Sequence, residues 1–133
     1  MIVLDTHAWV WWISDPGRLP ERSRRAIQES LDAGEPVHVS TMSSWEVAML
    51  VARGRLELTM DLSEWIGRAE SAPEITFVPV DNHIALRAVG LEDFPHRDPA
   101  DRLIAATALL MGATLITADA RLRAYEPLTT IWN

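Results

Sequence analysis

Short apolar runs alternate with helix-length segments along the whole chain. Five runs are brief and rich in Val, Ile, Leu and Thr, which is typical of buried strands. These predicted strands are Ile2–Leu4, Val37–Val39, Ile75–Val78, Leu115–Thr117 and Thr129–Trp132. The predicted helices are Ala8–Ile13, Pro20–Ala33, Ser43–Arg53, Leu62–Ala69, Asp81–Val89, Asp98–Met111 and Ala120–Tyr125. This alternation predicts one α/β domain over residues 1–133, a three-layer α/β/α fold with a mostly parallel central sheet of about five strands.

Residues at the helix ends support these boundaries. Pro20 suits the first position of the second helix, and Gly34 is a typical stop after it. Asp81 and Asp98 each precede a helix as predicted N-caps. Gly112 ends the segment that begins at Asp98, which is apolar nearly all round and is therefore predicted to be buried.

The composition is that of a soluble globular domain. The chain has 133 residues, of which 48% are apolar and 23% charged. It has no cysteine, which excludes disulfides, thiolate metal sites and Cys nucleophiles. It also has no lysine, because all 12 basic residues are Arg, and this excludes a P-loop or a Schiff-base lysine. Phosphate chemistry would therefore depend on Arg, backbone amides or metal ions.

Neither a targeting segment nor a membrane span is predicted. Asp5 stands where a signal peptide would carry positive charge. The longest apolar run, Leu103–Met111, is far shorter than the roughly 20 residues that cross a bilayer. The expected compartment is the cytoplasm, with no membrane partner.

Four carboxylates fall at the predicted carboxyl ends of strands or in the first turn of a following helix. Asp5 directly follows the first strand, and Asp119 lies two residues past the fourth. Glu46 and Asp101 each lie in the first turn of a predicted helix. Ligands of open α/β sheets bind outside the carboxyl ends of the strands. The four side chains are therefore candidates for one shared site.

Each acid also has a purely structural interpretation. Ser43 and Glu46 match the spacing of a capping box. Asp98 and Asp101 resemble the same device, with Asp98 as the N-cap. The other two acids would end a strand or cap a turn. Sequence spacing alone leaves these alternatives open for each residue taken singly.

Taken together, four neighbouring acids would repel one another and raise their pKa values. A divalent cation removes that conflict, since Mg²⁺ and Mn²⁺ prefer carboxylate and water oxygens. Such an ion can generate hydroxide from water and stabilise the charge of phosphodiester cleavage. If Asp98 is the N-cap, Asp101 is freer to reach the metal.

Four segments carry a resemblance to a known family. They are Ile2–Ala8, Ser43–Ala48, Asp98–Thr107 and Leu115–Asp119. In this order and spacing they resemble a PIN-domain ribonuclease, and more narrowly the VapC-type toxins of toxin–antitoxin pairs. The resemblance covers nearly the whole chain. It implies a PIN-like fold, Mg²⁺- or Mn²⁺-dependent endoribonuclease activity on RNA, a homodimer, and inhibition by a cognate antitoxin.

The resemblance also implies roles for individual residues. The acidic metal site corresponds to Asp5, Glu46, Asp101 and Asp119, and hydroxyl positions beside it correspond to Thr6 and Thr117. In the predicted scheme the three aspartates hold the cation, while the glutamate completes the site or orients the attacking water. Two questions stay open: whether Asp98 shares the role of Asp101, and whether one or two ions act.

Arginines and histidines add weaker candidates. Arg97 and Arg102 flank the Asp98–Asp101 segment and are predicted to contact RNA phosphates. The basic run at the start of the second helix is most often a solvated face, and it consists of Arg18, Arg22, Arg24 and Arg25. The four histidines have no metal-ligand spacing, so structural or supporting roles are expected for them, including His7 and His96 near the site.

Three tryptophans fall close together, at positions 9, 11 and 12. They are predicted to form core and subunit interface. Stacking on RNA bases and an exposed surface awaiting antitoxin are the alternatives.

Two other function classes are alternatives to a nuclease. A receiver-like or dehalogenase-like phosphotransfer domain also places an Asp after the first strand, but the missing lysine and the sequence Asp5-Thr6-His7 disfavour it. A non-catalytic PIN-like interaction module is the remaining alternative, although all four acids are present.

The net charge of −7 first suggests that nucleic acid would be repelled. Setting the four predicted metal ligands aside leaves −3, and bound cations would make the cleft attractive to phosphate.

Overall fold

The computed structural model describes all 133 residues, which form one parallel sheet with helices on both faces. The strands are β1 (Ile2–Leu4), β2 (Val37–Ser40), β3 (Ile75–Val78), β4 (Thr114–Ile116) and β5 (Thr130–Ile131). The helices are α1 (Thr6–Ser14), α2 (Glu21–Asp32), α3 (Thr41–Ala52), α4 (Leu62–Ser71), α5 (Asn82–Val89), α6 (Pro99–Met111) and α7 (Ala120–Ala124). A short 3₁₀ turn, Pro16–Arg18, follows α1. The predicted sheet and its five strands are confirmed.

Strand β1 lies at the centre of the sheet, in the order β3-β2-β1-β4-β5. Val3 pairs with His38 on one side and with Leu115 on the other, both in parallel register. Because all five strands run the same way, the segments that leave β1, β2 and β4 emerge at one edge of the sheet. This edge carries the predicted site.

The two faces of β1 belong to different parts of the core. Leu4 packs with α1 to α4, in a cluster that includes the fully buried Trp9 and Val47. Val3 points to the opposite face and packs with α6, in a cluster that includes Ile104. Alternation of side chains along a strand produces this division. The sheet is thus enclosed between two helical layers, as the α/β/α prediction requires.

Helix ends differ from the prediction at two positions that matter for the site. Helix α1 begins at Thr6, not Ala8, because the Asp5 side chain accepts a hydrogen bond from the Thr6 backbone N–H and acts as the N-cap. Helix α3 begins at Thr41 with Ser40 as its N-cap. The alternative interpretation of Ser43 and Glu46 as a capping box is therefore wrong, since Ser43 lies inside the helix.

Smaller differences leave the architecture unchanged. Helix α2 begins at Glu21 with Pro20 as its N-cap, one residue later than predicted. Thr117 lies just past the end of β4. The caps predicted at Asp81 and Asp98 are confirmed, and Gly112 ends α6 with a φ of 60°. None of the seven helices combines the length and the apolarity needed to cross a membrane.

Candidate active site

The predicted acids converge on one open cleft at the carboxyl edge of the sheet. The cleft has a volume of about 510 Å³. We call it the acidic cleft, and it is lined by Asp5, Thr6, His7, Trp11, Glu46, Asp98, Asp101, Ala118 and Asp119. Strand order explains the convergence, because β1 supplies its end at the centre while β2 and β4 deliver their following helices on either side.

Asp5 is held from two directions. Its Oδ1 accepts the Thr6 backbone N–H at 2.8 Å, and its Oδ2 accepts the Thr117 hydroxyl at 2.7 Å. The Thr117 Oγ1 in turn accepts the backbone N–H of Asp119 at 3.1 Å. Thr117 is fully buried, so this chain of bonds fixes Asp5 relative to the segment after β4. Capping α1 and pointing into the cleft are therefore compatible functions of one carboxylate.

Glu46 reaches the same cleft from α3. Its Oε1 accepts the Thr6 hydroxyl at 2.6 Å, and the Thr6 Oγ1 also lies 2.9 Å from the Oγ of Ser43. Both Thr6 and Ser43 are buried. The start of α3 two residues earlier than predicted places Glu46 past the first turn, where it bonds to Thr6 and not to a backbone amide of its own helix.

The two acids of α6 have separate tasks. Asp98 is exposed, and its Oδ1 accepts the Ala100 backbone N–H at 2.9 Å as the N-cap. Asp101 lies half-buried in the first turn and lines the cleft. Asp98 is thus the helix cap and Asp101 the more buried carboxylate, although both side chains line the cleft.

His96 lies between the carboxylates of α6 and α7. Its Nε2 is 2.9 Å from Oδ2 of Asp119, and its Nδ1 is 3.8 Å from Oδ2 of Asp101. The Nε2 contact is close but not aligned as an N–H···O hydrogen bond, so this buried nitrogen has no hydrogen-bond partner. The ring packs edge-on against Phe94, with centroids 6.1 Å apart. His96 thus lies beside two of the predicted acids, a position that fits the supporting role expected for it.

Burial is the main cause of the unusual pKa values in the cleft. It raises the pKa of Glu46 to about 7, and the nearby charges of Asp5 and Asp101 add to the effect against the opposing Thr6 hydrogen bond. Burial also raises the pKa of Asp101 to about 6, and Asp5 again adds to it. A carboxyl without enough donors or cations around it favours its neutral form.

Asp5 and Asp119 show opposite outcomes. Burial raises the pKa of Asp5 despite the bonds from Thr117 and Thr6. Partial burial also acts on Asp119, but its pKa is lowered because the Leu122 and Arg121 backbone N–H groups donate to it and His96 lies beside it. The charged form of Asp119 is thus stabilised by its hydrogen bonds, whereas burial favours the neutral form of the deeper carboxylates.

The donor set fits a divalent cation. One ligand atom each from His96, Asp101 and Asp119 lies within 4.8 Å of the other two. The unpartnered Nε2 of His96 and the raised pKa values of the inner acids are both relieved by a positive ion at this position. Several carboxylates and one imidazole suit a hard or borderline ion. Asp5 and Glu46 line the same cleft and complete its acidic wall.

The remaining predicted residues lie in different surroundings. The Arg102 guanidinium donates to the Ala88 backbone carbonyl at 2.9 Å and lies 5.2 Å from the centroid of the Phe94 ring. Arg97 is exposed. Trp9 is fully buried against Trp65, which confirms the core role for one of the three tryptophans, and the other two are half-buried.

Comparison with known proteins agrees with this geometry. The family model described as the PIN domain matches residues 2–127. Ribonuclease VapC22 of Mycobacterium tuberculosis is 33% identical over 125 residues, which cover 94% of this chain and 92% of that protein.

Solved structures share the fold over nearly the full length. VapBC2 from Rickettsia felis, bound to a DNA fragment from its promoter, superposes with a TM-score of 0.73 at 16% identity, covering all of both chains. FitAcB from Neisseria gonorrhoeae superposes with a TM-score of 0.64 at 25% identity, covering 100% of this chain and 97% of the other. Fold, sequence and the converging carboxylates agree, and the chain belongs to the PIN-domain family.

Proposed function

We propose that this protein is a metal-dependent endoribonuclease that acts as the toxin of a toxin–antitoxin pair. The observation that carries the proposal is the acidic cleft itself, where carboxylates from four separate segments meet. Two of them, Glu46 and Asp101, have pKa values raised to about 7 and about 6. Such clustering destabilises the protein alone and is typical of a functional site. The family membership and the ribonuclease relative support the same reaction class.

Asp5, Asp101 and Asp119 would hold the cation, with Glu46 completing the site. Mg²⁺ is the proposed ion and Mn²⁺ a substitute, because carboxylate oxygens suit both. When bound, the ion supplies activation of water and stabilisation of the charge that develops on the phosphate. The Thr117 hydroxyl holds Asp5 in place for this function, and His96 sits beside Asp119 at 2.9 Å.

Glu46 is the proposed residue for positioning the attacking water. The Thr6 hydroxyl fixes its Oε1 at 2.6 Å, which leaves the other carboxyl oxygen for a water in the cleft. That water attacks the phosphorus while the bond to the leaving oxygen breaks in line. The proton of the water passes to the carboxylate or to solvent, and the leaving oxygen takes up a proton from solvent. A group with a pKa near the working pH suits this exchange.

The arginines proposed to bind RNA phosphates differ in their freedom. Arg97 is exposed beside Asp98 and reaches solvent. Arg102 is partly engaged, since it donates to the Ala88 carbonyl. We therefore expect Arg97 to contribute more to RNA binding than Arg102.

A cognate antitoxin and a second copy of this chain are the proposed protein partners, and the cytoplasm is the proposed compartment. The structural neighbour from Rickettsia felis is itself a VapBC2 structure. The acidic cleft, without metal, is complementary to a basic segment of such a partner.

Cleavage of a mixed pool of single-stranded RNA by purified protein tests the proposal. We expect cleavage with Mg²⁺ or Mn²⁺, none with excess chelator, and none for Asp5→Asn. Asp32→Asn is the matched control, because Asp32 is an exposed acid on α2 whose carboxylate pairs with Gln28. Cleavage that persists in chelator and in Asp5→Asn would refute the metal scheme. Absence of cleavage, with intact partner binding, would favour the non-catalytic interaction module.

A further inference from the structure

A second cleft adjoins the acidic one and has the opposite character. It has a volume of about 300 Å³ and is lined by Arg18, Arg55 and four apolar side chains, together with Thr6 and His7. No carboxylate lines it. We call it the basic cleft. Thr6, His7 and Trp11 line both clefts, so the two are continuous along the start of α1.

The arginine side chains of the basic cleft are free to bind an anion. Arg18 and Arg55 are exposed, and neither lies within 4.0 Å of a carboxylate. The Arg18 Cζ lies 4.3 Å from the centroid of the Trp11 ring, which orders the guanidinium without consuming its charge. Trp11 is itself held by Trp132, with ring centroids 5.8 Å apart. Arg18, predicted to belong to a solvated face, is exposed and also lines a defined cleft.

Aromatic surface at the junction suits a nucleobase. His7 is exposed, and its ring and that of Trp11 lie at 64° to each other with centroids 5.9 Å apart. Bases of single-stranded RNA stack on exposed aromatic rings and on Arg guanidinium planes. The cleft thus combines phosphate-binding and base-stacking groups directly beside the carboxylates.

We propose that the basic cleft binds the nucleotide next to the scissile phosphate of single-stranded RNA. Arg18 and Arg55 contact the backbone phosphates on that side, and His7 with the Arg18–Trp11 pair stacks on the base. This inference rests on the proposed ribonuclease function and specifies how the substrate enters the site.

Charge favours RNA over a protein segment as the occupant. With a cation held by the carboxylates, a polyanion that crosses from one cleft to the other would meet positive charge there and then the two free guanidinium groups. A basic antitoxin segment would be attracted by the acidic cleft but repelled by Arg18 and Arg55. The path through both clefts is therefore complementary to a nucleic acid strand along its whole length.

Fluorescence anisotropy with a labelled 12-nucleotide RNA of mixed sequence tests the inference. All variants are made in an Asp101→Asn background, which is expected to stop cleavage during the measurement. We expect Arg18→Gln and Arg55→Gln each to weaken RNA binding about fivefold. Each should also make the decrease of the logarithm of the association constant with the logarithm of the salt concentration less steep, by about 0.7. His7→Ala is expected to weaken binding at least about fivefold through lost stacking. Arg87→Gln, an exposed arginine on α5 outside both clefts, is the control with no change.

Kinetics of the otherwise intact enzyme provide a second measurement. With single-stranded RNA, Arg18→Gln should raise KM with little change in kcat, because it removes binding that is equal in the ground and transition states. If the wild type cleaves RNA and the three variants bind and cleave it like the control, the basic cleft is overturned while the nuclease proposal stands. If they weaken binding of a basic antitoxin peptide but not of RNA, the surface belongs to the partner and the inference is likewise overturned. If wild type does not cleave but Arg18→Gln still weakens RNA binding, the nuclease proposal fails alone.

Discussion

Asp101 and Asp119 lie on either side of the same histidine, yet their electrostatic situations are opposite. Asp119 accepts the backbone N–H groups of Arg121 and Leu122 at 2.8 and 3.2 Å, and its pKa is lowered. Asp101 lies in the first turn of α6, three residues after the cap that Asp98 provides, and burial raises its pKa to about 6. At Asp119 the two capping N–H groups outweigh the partial burial, whereas Asp101 accepts no such hydrogen bonds and the effect of burial prevails. The site thus contains acids whose charged form is stabilised by hydrogen bonds, such as Asp119, and acids whose charged form is destabilised by burial, such as Asp101. We call them the supported acids and the strained acids.

The largest expected effect comes from neutralising the strained acid. Asp101→Asn should reduce cleavage of single-stranded RNA by about 10³-fold or more, because it removes a group needed in the transition state. The same substitution should raise the stability of the metal-free protein by about 1 kcal/mol, since it removes repulsion from Asp5 and Glu46. Cleavage rates and urea unfolding in chelator measure the two effects. If Asp101→Asn lowered both the cleavage rate and the free energy of unfolding, the claim that the charge of Asp101 destabilises the metal-free protein would be contradicted.

The pH dependence of stability should follow the strained acids and not Asp119. The pKa values of Glu46 and Asp101 are raised in the folded protein, to about 7 and about 6, so the folded state binds more protons than the unfolded state. Their contribution is fully present below the unfolded values near 4 and is lost as pH rises through 6 and 7. Both groups are partly exposed, so solvent screening reduces the contribution to about 1 kcal/mol in total.

Thermal unfolding in chelator from pH 5 to pH 8 measures this effect. The wild type should lose stability relative to a Glu46→Gln, Asp101→Asn double variant as pH rises, and Mg²⁺ should restore it more at pH 8 than at pH 5. The double variant is the matched control, because every other titrating group is shared. If the stabilities of the two proteins changed with pH in parallel, Glu46 and Asp101 would not be the cause of the pH dependence.

His96 connects the two kinds of acid, and a substitution there should have a smaller effect. His96→Gln should weaken binding of Mn²⁺ about tenfold, as is typical for residues that contact metal ligands. His83→Gln is the control, since His83 is exposed on α5 and does not line the acidic cleft. Calorimetric titration of the two variants with Mn²⁺ is the measurement. Equal affinity in both would show that His96 serves only the packing of its loop.

The sequence predicts the fold and the inner acids because the responsible patterns are local. The apolar run of β1, followed at once by Asp5, places a carboxylate at the sheet edge whatever the remaining chain does. Asp98 and Gly112 mark the ends of α6 by backbone chemistry alone. Parallel pairing then brings these segments together, so convergence of the acids follows from strand order.

The parts that sequence spacing missed depend on tertiary packing. His96 reaches Asp119 only because Phe94 anchors its loop in the core and the ring stands against it. Ser43 matched a capping box, but Ser40 had the extended backbone that a cap requires, and the hydroxyl of Ser43 met Thr6 from another helix instead. Neither outcome has a signature in the spacing of residues along the chain.

Substitution of Asp98 is expected to have the smallest effect, and it tests whether this capping acid differs in function from its neighbour Asp101. Its carboxylate is exposed and accepts the Ala100 N–H at 2.9 Å, a function that Asn performs nearly as well. Asp98→Asn should therefore change the free energy of unfolding by only a few tenths of a kcal/mol. It should lower kcat/KM by no more than about threefold through its weak field in the cleft. The measurement is kcat/KM of Asp98→Asn and Asp101→Asn side by side. A loss of kcat/KM of the same size in both variants would place Asp98 among the residues that hold the metal. It would also contradict the distinction between a capping and a metal-binding acid at the start of α6.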